Sequence, residues 1–137
     1  MDDEVKANIA TVSVDATAST FFAIDKNVNP LCNALMWMDM RATEETAELN
    51  ATGHAVLDYC GGEASPEWFV PKVMWIKRHL PDLYNDTYKF MDQLDWVNYK
   101  LSGVLCSCMC TAVCKYHYVE DLGGYCQDFY DSLGLED

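Results

Sequence analysis

An α/β fold, with short strands and a hairpin flanked by helices, is what these 137 residues predict. Three observations carry that reading. Ile9 to Val14 is a short run rich in β-branched residues and bounded by polar ones, which suits a strand on a pleated, half-buried surface. Phe21 to Ile24 and Ala34 to Met38 are apolar runs on either side of the turn-forming stretch Asp25 to Pro30, the order of a hairpin. From Arg41 onward the apolar residues change to helical spacing. With 50% hydrophobic residues the chain can build one domain with a real core, and disorder is excluded.

Taken in order, the first strand ends at Asp15. The following Asp15-Ala16-Thr17-Ala18-Ser19-Thr20 consists of small and hydroxylated residues, which let a backbone approach a ligand and are equally the ordinary chemistry of turns. After the hairpin, Glu44, Glu45 and Glu48 alternate with Ala42, Ala47 and Leu49 in a helix that stops near Gly53. Its acids are expected to form a mostly solvated face. Ser65-Pro66-Glu67 has the form of a helix start. An interior proline at Pro71 would break that helix, so the expectation is a turn over Pro66 to Val70 and a helix from Pro71 to Leu80, ended by Pro81. In it Val73, Trp75, Ile76 and Leu80 form the apolar face, and Lys77, Arg78 and His79 suit the negative end of the helix dipole. Tyr88 to Met91 reads as a strand, Asp92 as the cap of a helix over Leu94 to Leu101, and Gly103 as its stop. Tyr125 to Leu133 reads as a last short helix before Gly134.

Nine Lys and Arg against 22 Asp and Glu give a formal charge of -13, which repels nucleic-acid phosphates and anionic membrane surfaces. Neither is an expected partner. Met1-Asp2-Asp3-Glu4 is the opposite of a cationic signal-peptide start, and no apolar run reaches the roughly 20 residues of a membrane span. A cytoplasmic location is therefore expected. The seven cysteines are an odd number, which together with that location points to reduced thiols. On the same ground the sequons at Asn50 and Asn85 carry no weight.

Three groups of residues offer chemistry. Trp37, Asp39 and Arg41 alternate, so an extended backbone would present an aromatic plane, an acceptor and a fork of donors on one face. Such a face suits a polyhydroxylated ligand, and a buried Trp beside a structural ion pair is the competing reading. Cys106, Cys108, Cys110, Cys114 and His117 invite comparison with zinc. Alternation along a strand points thiols the same way without enclosing a tetrahedron, so buried, inert cysteines and no metal are expected. Lys115 stands between Cys114 and Tyr116, and Glu67 near a helix start. Each fits a ligand contact, or equally a snorkelling surface lysine and a dipole-complementing acid.

Taken together, the motifs resemble the FGGY carbohydrate kinases, most closely their ribulokinase-like members. Val14-Asp15-Ala16-Thr17-Ala18-Ser19-Thr20 is similar to the family's Val-Asp-x-Thr-x-Ser-Thr loop, and Met36 to Ala42 to its Trp-x-Asp-x-Arg-Ala segment. Gly61-Gly62 with Ser65-Pro66-Glu67-Trp68 and Pro71-Lys72, then Asp95-Trp96 with Leu101-Ser102-Gly103, then Cys110 to Lys115 keep the family's order. The resemblance implies part of an actin-like, ribonuclease-H-type N-terminal lobe, with a mixed sheet, a β-hairpin insertion and flanking helices. It also implies transfer of the ATP γ-phosphoryl group, with Mg, to a hydroxyl of a pentulose such as ribulose. Carried over, Ala18, Trp37 and Lys115 fall on substrate-contacting positions, and Asp39, Arg41 and Glu67 line the same region.

Such kinases begin with an Asp-x-Gly phosphate hairpin and carry a catalytic Asp further along, and neither stretch is found in this sequence. The expectation is therefore a partial sugar-binding domain over residues 1–137, without the nucleotide-binding lobe and without a competent catalytic centre. A non-catalytic sugar-binding module and a small cysteine-cluster metal protein are the alternatives. A strand at Ile9 to Val14 with open edges also implies self-association.

Overall fold

The computed structural model describes residues 1–136. Helix α1, Asp3–Ala7, is capped by the Asp2 carboxylate and buries nothing. Strand β1, Phe21–Ile24, is buried at all four positions. It pairs antiparallel with β2, Lys89–Asp92, placing Phe21 opposite Asp92 and Ile24 opposite Lys89. Alternation along β1 sends Phe21 toward Leu35, Val73 and Ile76, and sends Phe22 and Ile24 toward Val28 and Met91. Covered on both faces, β1 is the centre on which the surrounding loops settle.

Helix α2, Thr43–Ala51, packs on α3, Phe69–His79. Along α3, Val70 and Met74 join a core with Leu49, Val56, Leu57, Phe129 and Leu133, whereas Val73 and Ile76 face Phe21. One helix thus carries two apolar stripes. Helix α4, Pro81–Asp86, follows directly, then α5, Gln93–Ser102, and α6, Met109–Lys115. The short strands β3, Tyr118–Val119, and β4, Gly124–Tyr125, pair antiparallel before α7, Gln127–Ser132.

Several expectations hold. The Asp92 carboxylate accepts the Leu94 N–H at 3.1 Å, and Gly103 ends α5 in the left-handed region at φ 73°. Asp25 orders the turn after β1 by accepting from the Asn27 and Asn29 N–H groups, both at 2.8 Å.

Others are corrected. Ile9 to Val14 forms no strand; it is largely exposed, and the Ile9 N–H, on the Lys6 carbonyl at 3.2 Å, closes the end of α1 instead of joining a ladder. The hairpin reduces to two isolated bridges, Phe21 to Leu35 and Ile24 to Pro30, on the edge of β1 opposite β2, because the returning segment touches β1 only around Leu31 and Leu35 and then turns at residues 36 to 39. Pro71 lies inside α3 without breaking it. It sits in the first turn, where the N–H has no intrahelical partner to lose. Pro81 does not merely end a helix but starts α4, its fixed φ suiting the first position. Leu80 is exposed and Lys72 is buried in its stead. Glu45 is buried rather than solvated, because Arg78 reaches it from α3 at 3.0 Å. The thiols from Cys106 to Cys114 do not alternate along a strand: Met109–Lys115 is helical, with Thr111 and Ala112 turned inward. Consequently Cys110 and Cys114 are exposed, not buried, and Cys106, ahead of the helix, is exposed too. Tyr125 belongs to β4 and the last helix starts at Gln127.

Candidate functional site

The centre of the site is a residue that the sequence reading named only within the Pro71-Lys72 motif and gave no site role. Lys72 is fully buried on α3 and donates to the Ser19 carbonyl at 2.5 Å and the Met36 carbonyl at 3.0 Å. It thereby ties the 15–20 loop to the 36–41 loop. Burial pushes its ammonium down to about 8, while Asp39, Asp92 and Glu67 act in the opposite sense and favour the charged form. Its ammonium also lies 5.1 Å from the centre of the Phe21 ring. A signal was present in the sequence: Phe69, Lys72, Val73 and Ile76 follow i, i+3, i+4, i+7 spacing, so the lysine falls within an apolar stripe.

Around Lys72 the sequence-predicted residues come from three segments. Ala18 is half-buried in a turn and precedes Ser19, whose φ is 67°. The Ser19 N–H donates to the Asp92 carboxylate at 3.0 Å, and the Tyr116 hydroxyl donates to the same carboxylate at 2.7 Å. Asp92 therefore fixes the 15–20 loop from the far end of β2, a second role that its capping position did not reveal. The Thr20 hydroxyl accepts the Trp37 N–H at 3.0 Å. Trp37 is left 43% exposed, available as a surface for a ligand to pack on.

Asp39 and Arg41 pair closely, with Nη2 to Oδ2 at 2.7 Å, and the guanidinium hydrogen bond holds the Asp39 carboxyl below the usual carboxylate range. Yet Arg41 lies over the Trp75 ring at 4.7 Å, not over Trp37. The expected common face of Trp37, Asp39 and Arg41 requires an extended backbone. Residues 36 to 39 form a turn instead, closed by the Asp39 N–H on the Met36 carbonyl at 3.0 Å. Alternation does not survive a turn.

Glu67 receives the Ser65 hydroxyl and stands 3.9 Å from the Lys115 ammonium. Burial alone would raise its carboxyl, and the Ser65 hydroxyl and the two lysines, Lys115 and Lys72, bring it below its ordinary value. Lys115 lies over the Trp68 ring at 4.7 Å, at the end of α6. The wide Glu67 to Lys115 spacing leaves the ammonium with donors free. Acceptors, cationic donors and indole surfaces thus gather near one buried lysine, a combination that can hydrogen-bond hydroxyls and pack on C–H faces.

A profile of the FGGY family of carbohydrate kinases, N-terminal domain, matches residues 3–122. The chain belongs to the FGGY family of carbohydrate kinases. It is 34% identical over 139 residues to the FGGY carbohydrate kinase domain-containing protein of Homo sapiens, covering 94% of this chain and 25% of that protein. Identity is 33% over 138 residues to a D-ribulokinase of Saccharomyces cerevisiae, with 96% and 19% covered. It is 32% over 140 residues to a ribulokinase of Bacillus licheniformis, with 91% and 25% covered. The chain spans a quarter or less of the length of these relatives.

The crystal structure of a xylulose kinase from Brucella ovis superposes with a TM-score of 0.75 at 22% identity, over 86% of this chain and 25% of that one. For a xylulose kinase from Bifidobacterium adolescentis the TM-score is 0.68 at 14% identity, over 87% and 30%. The FGGY fold is thus the α/β one that the sequence predicts, part of an actin-like N-terminal lobe. Among the described residues no helix is long and apolar enough to cross a membrane.

A cleft of about 460 Å³ opens between Phe69, Tyr84, Phe90, Asp95, Tyr116 and Tyr130. Ala18, Trp37, Asp39, Arg41, Glu67 and Lys115 are not among its lining residues. Among the described residues no three His, Cys, Asp or Glu side chains are grouped so as to hold a metal ion.

Proposed function

We propose that this chain supplies the sugar-contacting face of an FGGY kinase that phosphorylates a pentulose such as ribulose, using ATP. Ala18 lets the loop backbone approach the ligand, Trp37 packs on its apolar face, and Lys115 donates to its oxygens, with Asp39, Arg41 and Glu67 lining the same region. The supporting observation is the buried Lys72, which holds the loops bearing Ala18 and Trp37 together and feels the charges of Asp39 and Glu67. The curated relatives named ribulokinase support the pentulose.

Phosphoryl transfer depends on positioning and on stabilising charge at the transferred group. We assign that step, with ATP and Mg, to residues beyond these 137, so the chain by itself is a partial sugar-binding domain without turnover of its own. The seven free cysteines suit a cytoplasmic, reducing location.

Calorimetric titration of the chain with D-ribulose, L-ribulose and D-xylulose tests the reading, alongside coupled ATP turnover with each sugar. Binding without turnover is expected. Trp37→Ala and Lys115→Ala are each expected to weaken binding by about 1 to 3 kcal/mol, and Cys108→Ser to leave it unchanged. Sugar-dependent turnover by the purified chain, or binding indifferent to Trp37 and Lys115, would overturn the assignment.

A further inference from the structure

Cys110 and Cys114 stand four residues apart on α6, and both are free and exposed. That spacing puts them on one helix face with Cβ atoms about 5–6 Å apart. Cys114 is also the neighbour that most strongly affects Cys110, holding its thiol in the protonated form through a side-chain hydrogen bond and through charge. A disulfide needs Cβ atoms only about 3.5–4.5 Å apart, so a direct S–S bond would require the helix to distort. A bridge with one atom between the sulfurs matches the wider spacing. Structural zinc takes four donors, and no group of even three closes here among the described residues. The ligand that fits is a soft centre satisfied by two thiolates.

We propose that Cys110 and Cys114 form a dithiol site for trivalent arsenicals of the type R–As(OH)2. Each thiol gives its proton to an arsenic-bound hydroxyl, which leaves as water, and an S–As bond replaces the As–O bond. Two S–As bonds form, two As–O bonds break, and arsenic stays trivalent, so no oxidant or reductant takes part. Once the first bond is made the second closes within the molecule, which favours the pair over monothiols such as glutathione. The occupant lies beside Lys115, the next residue along the helix.

The test uses the reduced full chain and phenylarsine oxide in an excess of glutathione, read by intact mass, thiol titration and peptide mapping. One arsenical per chain is expected, with loss of two titratable thiols and release by dimercaptopropanol. Cys110→Ser and Cys114→Ser should each abolish the glutathione-resistant adduct, and Cys106→Ser should keep it. Absence of a glutathione-resistant adduct on the unmodified chain, mapping to another cysteine pair, or full occupancy in the double Cys110→Ser/Cys114→Ser variant would overturn the proposal. Mapping on the unmodified chain decides even where a serine variant folds poorly.

Discussion

Two buried bases make the stability of this protein depend on pH in ways that its composition does not suggest. Lys72 has its ammonium pushed down to about 8 by burial, against an ordinary 10.5. Across that window the unfolded chain binds a proton that the folded chain releases, so this residue makes stability rise with pH, by up to about 3 kcal/mol. The Tyr116 phenol, raised by burial and by Asp92, acts with the opposite sign. The measurable quantity is therefore the difference between the unmodified chain and Lys72→Met in urea unfolding between pH 7 and 10. The variant should lose the rising component and, with the Ser19 and Met36 carbonyls left without their donor, be less stable at pH 9 by about 1 to 3 kcal/mol. His117 is 1% exposed, neither ring nitrogen has a hydrogen-bond partner, and burial pushes the imidazole down to about 4. Its contribution is complete above the ordinary 6.5 and is lost as pH falls toward 4, up to about 3 kcal/mol. His117→Asn does not titrate and tolerates the φ of 57°. Its unfolding free energy should accordingly fall less steeply than that of the unmodified chain between pH 6.5 and 4, and equal slopes would refute the assignment.

One arginine joins the two helices α2 and α3 by charge. Arg78, in the last turn of α3, spans Glu45 at 3.0 Å and Glu48 at 2.7 Å on α2. The two contacts look alike in geometry but differ in environment. The Glu45 side chain is 1% exposed and the Glu48 side chain 51%. An exposed pair contributes little, whereas a buried carboxylate stripped of its partner is costly to the fold. Arg78→Ala is expected to lower stability by about 1 to 3 kcal/mol, the half-exposed guanidinium keeping the loss below that of a fully buried pair, and Glu48→Ala by less than about 1 kcal/mol. Comparison of urea midpoints for the two variants decides it; equal losses would mean that burial of Glu45 does not matter. The basic last turn of α3 was legible in the sequence through its suitability for the helix dipole, but its reach across to α2 was not, because that partnership is set by how two helices pack.

At the scale of the whole molecule, Ile9 and Val12 are 50% and 67% exposed on an unpaired stretch. A β-branched segment with unpaired backbone groups is a template for pairing between chains, and a charge of -13 opposes it only by long-range repulsion. Self-association is expected to increase with salt, as screening removes that repulsion, and to fall in an Ile9→Lys/Val12→Lys variant. Size-exclusion chromatography over a range of concentrations and salt measures this. A monomer at every salt concentration would show that the segment does not pair. The sequence by itself determined the features set by local chemistry and by collinear motifs: the helix over Thr43–Ala51, the Asp92 cap, the Gly103 stop, the last turn of α3, and membership of the FGGY family. Caps and glycine stops are legible because the hydrogen bonds or dihedrals they require lie within a few residues. Tertiary structure decided the features that depend on residues far apart in the chain. It withheld a strand from Ile9 to Val14 because a strand exists only with a partner, and it folded residues 36 to 39 into a turn that separates Trp37 from Arg41. It also placed Lys72 under Ser19 and Met36, 53 and 36 residues away, a position that only the meeting of α3 with two loops creates.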